Sequence, residues 1–419
     1  MNSYAITKPT YRLQIFFMFM MFMWVARVTP LTSFKFGENP YLMPIYIIIL
    51  LYYYLNYCKK SFKPLLIFLS IFGVWFSLVC IKYHAVQGFY FLPIYNIIVA
   101  HVAFNIYTKD EFIKLYEDIL VKLCVLSLIV WFGANLFPSV VPKFMHSIAV
   151  IENNGTTETN SFIIGLGSQI TIGLRRNIGF TWEAGRFACF IILGMFCNLI
   201  RNRFKIFPIK SNKNLYVLIF TLLTTLSTTG YSVIVVIIFM YILNSRQMSK
   251  WVITILVIVL LPSIWGLPFM SEKIESISDI DVAISAINYY EDQGATAIVP
   301  QRFPGLYFNL QNLLHDPLLG YCQNENSYIQ KDFFKGFPVW TSDGVIQILS
   351  KYGIFVGLFF YYWLFKSSRQ LSRVWGYRGI LVFALLFIFI SISYDFWENC
   401  LFMYLYLYSF YYKYGYNSY

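Results

Sequence analysis

Long apolar runs alternate with short polar connections along most of the chain. Each run approaches or meets the roughly 20 residues that an α-helix needs to cross a bilayer. The pattern predicts an all-α, polytopic integral membrane protein, one domain over residues 1–419 with about twelve transmembrane helices. The predicted spans are Leu13–Val28, Tyr41–Cys58, Pro64–Ile81, Phe89–Tyr107, Leu123–Phe137, Phe187–Ile200, Leu215–Thr229, Tyr231–Leu243, Trp251–Leu267, Val345–Phe365, Ile380–Tyr394 and Leu401–Tyr412.

Lysine and arginine collect in every second connection. Because short cytoplasmic loops carry the positive excess, this alternation predicts both termini in the cytoplasm and the intervening loops outside. A charged fraction of 12% agrees with a membrane protein, since soluble chains average about a quarter. The net charge of +12 is then mainly a topology signal. No basic stripe or motif indicates nucleic-acid binding.

Two outer segments are too long to be simple connectors. The first outer loop, residues 138–186, is polar and rich in glycine. The second, residues 268–341, carries an acidic cluster. Its apolar spacing predicts partial helicity and therefore a folded cap; the spaced residues are Ile274, Ile277, Ile280, Leu306, Leu310, Leu313 and Leu314.

Cysteine and histidine suggest no metal or disulfide chemistry. Six of the seven cysteines lie in or beside apolar runs, and the four histidines are scattered. We therefore expect no metal, no cofactor and no disulfide framework.

Charged residues gather in the stretch RRNIGFTWEAGRFACFI, Arg175–Ile191, just before the sixth predicted span. One interpretation is structural: Glu183 in a first helical turn favours the helix dipole, and Arg186 pairs with it three residues later. The alternative is a functional site. Three further blocks are predicted on the same side: STTGYSV (Ser227–Val233), expected to be a polar turn; RFPGLYFNLQNLLHDPLLGYCQNENSYI from Arg302; and TSDGVIQILSKYGIFVG.

These blocks carry a resemblance to a known family. RNIGFTWEAGRFA is similar to the arginine, glycine, phenylalanine, aromatic and glutamate element of O-antigen and oligosaccharide repeat-unit polymerases, and STTGYSV resembles a second element. The run from Arg302 through LLHDPLLGYCQNE, then SDGVIQILSKYGIFVGLFFYYWLF, resembles the C-terminal part of the O-antigen ligase and polymerase superfamily. The resemblance extends over roughly Leu123–Phe365, with the four elements in the family's order.

The resemblance implies a polymerase in the bacterial inner membrane, with its active site and both long loops in the periplasm. Such an enzyme transfers a glycan from undecaprenyl pyrophosphate onto a lipid-linked repeat unit without nucleotide sugar, metal or cofactor. Its partners are the lipid-linked oligosaccharide, membrane lipid and, in this family, a chain-length regulator protein.

Arginine and carboxylate residues are the candidates for this chemistry. Arg176, Arg186 and Arg302 are expected to bind the pyrophosphate, because a guanidinium binds phosphate bidentately; Arg175 could substitute for one of them. Glu183 and Asp343 are the candidate bases for the attacking sugar hydroxyl.

Two alternatives remain open. An O-antigen ligase would transfer the glycan to lipid A core, but the His-Asn pair of ligases is replaced by Ser342 and Asp343 ahead of Gly353. That favours a polymerase unless His315 lies nearby in space. A lipid-linked sugar flippase or other transporter is expected to show repeat symmetry and ionisable residues deep within its helices.

Overall fold

Helices dominate the computed structural model, which describes residues 8–26, 42–58, 62–84, 92–149, 151–152, 157–161, 163–245, 302–321, 341 and 343–415. The helices are α1 (Tyr11–Ala26), α2 (Leu42–Tyr57), α3 (Lys63–Tyr83), α4 (Leu92–Ile106), α5 (Lys109–Leu136), α6 (Val141–Ser147), α7 (Ala184–Arg201), α8 (Lys213–Thr224), α9 (Thr228–Asn244), α10 (Arg302–His315), α11 (Gln347–Trp375), α12 (Val382–Ser391), α13 (Cys400–Tyr406) and α14 (Tyr408–Gly415).

Apolar helices cover most of the predicted spans. In the described ranges, α3, α5, α7 and α11 are long and apolar enough to cross a membrane, and several shorter helices are apolar. Eleven of the twelve predicted runs overlap a helix, and Trp251–Leu267 lies outside the described residues. These helices suggest a membrane-embedded protein. With ten residues in α12 and seven in α13, the number of spans stays a prediction, because one crossing needs about 20.

The first outer loop contains short strands, so the all-α prediction is wrong there. β1 (Ile151–Glu152), β2 (Thr157–Asn160) and β3 (Gly165–Gly167) form one antiparallel sheet. β4 (Ile170–Thr171) and β5 (Leu174–Arg175) form a separate hairpin. Closely spaced glycines and β-branched residues favour short strands and turns over a helix.

The larger outer segment is described only in part. The leucine spacing from Leu306 to Leu314 correctly predicted α10. The predicted helical pattern at Ile274, Ile277 and Ile280 lies outside the described residues.

The chain divides into two compact units. Unit 1 comprises Met1–Lys60, Val99–Val259 and Trp375–Gly379, and unit 2 comprises Ser61–Ile98, Leu260–Val374 and Ile380–Tyr419. In unit 1, α7 packs against α5, α8 and α9. Every residue from Ala184 to Ile200 is buried, as expected of a helix that is apolar on all sides.

A buried polar cluster ties α5, α7 and α8 together where α7 ends. The Glu117 carboxylate accepts hydrogen bonds from Asn198 Nδ2 at 2.7 Å, Asn214 Nδ2 at 2.8 Å and Arg201 Nη1 at 2.6 Å. Only 1% of Glu117 is exposed. Because the carboxylate is paired and fully hydrogen-bonded, its burial is tolerated and the cluster holds the three helices in register.

In unit 2, α11 is interrupted at Gly353, whose φ of 78° and ψ of 169° are not helical. The turn after α10 packs against this break: Ile354 N donates to Pro317 O at 2.8 Å, and Tyr321 N donates to Ser350 O at 2.9 Å. A Cβ atom at Gly353 would lie 2.0 Å from Leu318 O. The backbones can approach this closely only because residue 353 is glycine.

Candidate functional site

The segment that begins at Arg176 is fixed by contacts of its own backbone and side chains. Arg176 N donates to Gln169 O at 3.1 Å. The guanidinium donates from Nη1 to Gln169 Oε1 at 2.6 Å and from Nε to Thr225 O at 3.2 Å. The predicted phosphate ligand is therefore oriented by neutral acceptors on two sides.

Asn177 joins the same segment to α5 and α8. Its backbone N donates to Thr224 O at 3.0 Å, and its Nδ2 donates to Thr224 Oγ1 at 2.9 Å and Ser127 Oγ at 3.2 Å. Its Oδ1 accepts from Gly179 N at 3.1 Å. Sequence reasoning did not single out Asn177. The available signal was that an asparagine side chain often accepts a hydrogen bond from the backbone two residues later and so stabilises a turn.

The first two motifs come together in unit 1. Arg176 contacts the end of α8 through Thr225, and a Cβ atom at Gly230 would lie 2.8 Å from Ala188 Cβ. The expected turn over Ser227–Val233 is wrong, because α9 already begins at Thr228. Ser227 Oγ caps that helix by accepting from Gly230 N at 3.3 Å, a preferred role for serine.

Glu183 precedes α7 and has an extended backbone, with φ of −146° and ψ of 140°. Its carboxylate does not cap the helix, and among the described residues it has no hydrogen-bond or ion-pair partner. The predicted pair with Arg186 is not formed, since Glu183 lies outside the helix where i,i+3 neighbours share a face. Partial exposure leaves this carboxylate accessible.

Arg186 is held by an aromatic ring and a backbone oxygen. Its guanidinium carbon lies 4.0 Å from the centroid of the Trp182 ring, and its Nη2 donates to Val25 O at 3.3 Å. Stacking on an indole fixes the plane of the guanidinium while leaving the group charged.

The side chain of Arg175 is described by the structure, whereas that of Arg302 is not. Arg175 forms an ion pair with Glu158 and donates to Gly167 O at 3.2 Å, so its charge is compensated within the sheet region. Arg302 is the first residue of α10, but its side chain lies outside the described residues.

Asp343 is fully buried and organises the start of α11. Its carboxylate accepts from Val345 N at 3.0 Å and Ile346 N at 3.1 Å. Burial raises the pKa of Asp343, and the backbone N–H groups offset this only in part. Zero exposure and this turn-forming geometry favour a structural role.

Asn309 connects Asp343 to α10. Its Nδ2 lies 3.5 Å from Asp343 Oδ2 and donates to Thr341 Oγ1 at 3.0 Å, while its Oδ1 accepts from Ser350 Oγ at 3.4 Å. The block that begins at Arg302 and the block TSDGVIQILSKYGIFVG are therefore joined by polar contacts within unit 2.

A buried ion pair in unit 2 was missed by sequence reasoning. Lys351 Nζ and Tyr352 OH both donate to Glu398 Oε1, and both charged side chains are 6% exposed. The available signal was Lys351 inside the predicted span Val345–Phe365, because a charge there is costly unless it is paired.

His315 occupies the exposed last turn of α10. Its Nδ1 lies 3.5 Å from Asp316 Oδ2. Burial raises the pKa of Asp316, but hydrogen bonds from Lys82 and Tyr83 and the Lys82 charge outweigh burial, so the net shift is downward. Six residues separate His315 from Asn309, about 9 Å along a helix axis, so the helix does not bring His315 to the Asp343 cluster.

Among the described residues, no group of three or more histidine, cysteine, aspartate or glutamate side chains could hold a metal ion. No protein-family model matches the chain, and no curated protein matches it significantly.

Proposed function

We propose that the chain is a polymerase of surface polysaccharide, acting at the periplasmic face of a bacterial inner membrane through about twelve spans. It transfers a glycan from undecaprenyl pyrophosphate onto a lipid-linked repeat unit. The observation that carries this proposal is the accessible Glu183 carboxylate, which no described residue engages, on an ordered segment between Arg176 and Arg186.

The arginines would stabilise the leaving group. Breaking the bond between the anomeric carbon and the pyrophosphate oxygen leaves negative charge on the phosphate. A cation about 4 Å away contributes on the order of 4 kcal/mol at an effective dielectric constant near 20, before desolvation. The fixed orientations of Arg176 and Arg186 support this role, because a preorganised guanidinium loses little freedom on binding phosphate. Arg302 remains a third proposed phosphate ligand.

Glu183 is the proposed base. The acceptor hydroxyl oxygen attacks the anomeric carbon, its proton passes to Glu183, and undecaprenyl pyrophosphate leaves with the electron pair of the broken bond. Asp343, the other predicted carboxylate, is proposed to position the start of α11 because its oxygens already accept two backbone hydrogen bonds.

One observation favours a different class of protein. Lys351 carries a buried charge within the apolar run Val345–Phe365 and pairs with the buried Glu398, and an ionisable residue inside a membrane helix is expected of a transporter of lipid-linked sugars. A transporter would move the labelled lipid between leaflets without forming a glycosidic bond.

Reconstituted liposomes with synthetic undecaprenyl-pyrophosphate repeat units test the proposal. The wild type should give a ladder of products, and Glu183→Gln should lower the rate by about 100- to 10,000-fold, as for loss of a general base. Asp343→Asn is the matched carboxylate control and should retain its rate per folded molecule.

Each alternative gives its own result in the same liposomes. Transfer only to added lipid A core would identify a ligase, and lipid movement without new bonds would identify a transporter. Wild-type ladders from Glu183→Gln together with loss in Asp343→Asn would assign the base to Asp343 instead.

A further inference from the structure

The hairpin β4–β5 exposes three large apolar side chains, Ile170, Ile172 and Leu174. Ile172 is 65% exposed and has a φ of 54°, followed by Gly173 at 73°. Turns with positive φ at both central residues favour asparagine, aspartate or glycine, and a β-branched residue is strongly disfavoured there. Local turn chemistry therefore does not explain an isoleucine at the tip.

Hydrogen bonds fix the level of this hairpin along α5. Trp131 Nε1 donates to Arg175 O, and Arg175 N donates to Asn135 Oδ1 at 2.9 Å. At 1.5 Å per residue, Trp131 lies about 7.5 Å before the last residue of α5. The hairpin is thus attached beside the last turns of a candidate membrane span, where α5 itself exposes Ile129, Phe132 and Leu136.

The next helix, α6, and its two flanking residues also expose apolar side chains. Val140, Phe144 and Ile148 recur every four residues and are all exposed, with Lys143 exposed beside them. Residues four apart share a helix face. An apolar stripe flanked by lysine is typical of a short helix lying in the membrane interface, where the lysine reaches the headgroup phosphates.

We propose that the β4–β5 hairpin and α6 insert together into the headgroup and acyl boundary of the leaflet in which α5 ends. The occupant is bilayer lipid, because the hairpin is attached beside the last turns of α5 and α6 directly follows that helix, and α5 exposes apolar side chains there. Insertion reaches about 5 to 10 Å, as for interfacial segments. The hydrocarbon core would leave the backbone groups at the strand edges without hydrogen-bond partners. At the depth of the headgroups these backbone groups can still bind water.

Insertion would also set the height of Arg176, which directly follows β5. The backbone at residue 176 is then held near the level of the lipid phosphates, where a lipid pyrophosphate is anchored. Lipid insertion itself is independent of the proposed function, since it requires no glycan and no catalysis.

Nitroxide labelling in nanodiscs of phosphatidylethanolamine and phosphatidylglycerol tests the insertion. A cysteine replaces Ile172 or Phe144 in a background whose reactive native cysteines are serine and whose fold is verified by size exclusion. Collision with oxygen reports lipid, and collision with a water-soluble nickel chelate reports water. Labels at Ile129 and Lys210 provide the lipid and water references.

We expect labels at positions 172 and 144 to resemble the label at Ile129, with several-fold lower nickel access than at Lys210. Labels resembling Lys210 would overturn the proposal.

An Ile172→Asn variant gives a second measurement that does not depend on a label at the turn. Asparagine suits the positive φ, so the hairpin should fold, but the apolar tip is lost. Nickel access to a label at Leu174 should then rise at least twofold. If nickel access to the label at position 174 is already as high as at Lys210 before the substitution and does not change after it, that result would contradict insertion.

Discussion

Replacing Gly353 by alanine tests whether the break in α11 is required for packing against the turn after α10. The new Cβ would lie 2.0 Å from Leu318 O and 2.8 Å from Leu319 N. Both neighbours are backbone atoms, so no side-chain rotation relieves the overlap. The turn has to move away by more than 1 Å, since ordinary contacts between carbon and oxygen begin at about 3.3 Å.

The expected cost combines strain and lost hydrogen bonds. Alanine at a φ of 78° and a ψ of 169° is strained, by about 1 to 3 kcal/mol, because this region is essentially reserved for glycine. Moving the turn breaks the bonds from Ile354 N to Pro317 O and from Tyr321 N to Ser350 O. Each of the two hydrogen bonds lost without a replacement costs about 1 to 3 kcal/mol. Together these terms give about 3 to 9 kcal/mol, a large part of the roughly 5 to 15 kcal/mol by which an ordinary folded chain is stable.

The assay is survival of the folded protein after heating in detergent, followed by size exclusion. Two glycines provide matched controls, because a Cβ at either meets nothing within 4 Å. Gly376→Ala keeps the positive φ of 66° without a clash and should cost only about 1 to 2 kcal/mol. Gly73→Ala lies inside α3 and should stabilise the chain by about 0.5 to 1 kcal/mol.

A Gly353→Ala protein as heat-resistant as Gly376→Ala would refute the reasoning. It would mean that the turn can move without losing its hydrogen bonds.

Three further predictions concern other buried groups. Lys351→Met should destabilise the chain by about 3 to 5 kcal/mol by leaving Glu398 unpaired, and adding Glu398→Gln should recover much of that loss in the same heating assay; equal losses in both variants would argue against the pair. Because burial raises the pKa of Asp343, the folded chain binds more protons than the unfolded chain, so this group's stabilising contribution is lost as the pH rises from about 4 through the folded pKa. Asp343→Asn should flatten that dependence in thermal midpoints measured from pH 4 to 7, whereas parallel curves would contradict the shift. Arg176→Lys should lower the rate of ladder formation at least tenfold, because lysine lacks the planar fork that reaches two acceptors and a phosphate at once; a wild-type rate would reduce the site to general electrostatics.

The length of each apolar run predicted most of the apolar helices, because whether such a run forms a helix depends mainly on the residues within the run itself. The leucine spacing predicted α10 for a different reason, because it follows the period of a helix. Strands β1–β5 escaped prediction, since two- to four-residue strands leave too little alternation to detect. The Glu183–Arg186 pair, which belonged to the structural interpretation of this stretch, does not form because α7 begins at Ala184 and leaves Glu183 outside the helix.

Contacts distant in sequence were beyond reach of pattern reasoning. The partners of Asp343 include Asn309, 34 residues earlier, and the Lys351–Glu398 pair spans 47 residues. Only the fold brings such groups together. The candidate carboxylates were identified from the chain, but the difference between an accessible Glu183 and a buried Asp343 required the structure.

The Glu117 cluster constrains the order in which this chain can be assembled. Glu117 leaves the ribosome 84 residues before Arg201 and 97 residues before Asn214. At about 5 to 20 residues per second, its carboxylate waits roughly 4 to 20 s for these partners. Glu117 lies eight residues into α5 and six residues before the apolar run Leu123–Phe137, so water at the membrane surface can hydrate the carboxylate while it waits. The cluster can close only after α7 and α8 have been made, so the register of these three helices is fixed late in biosynthesis.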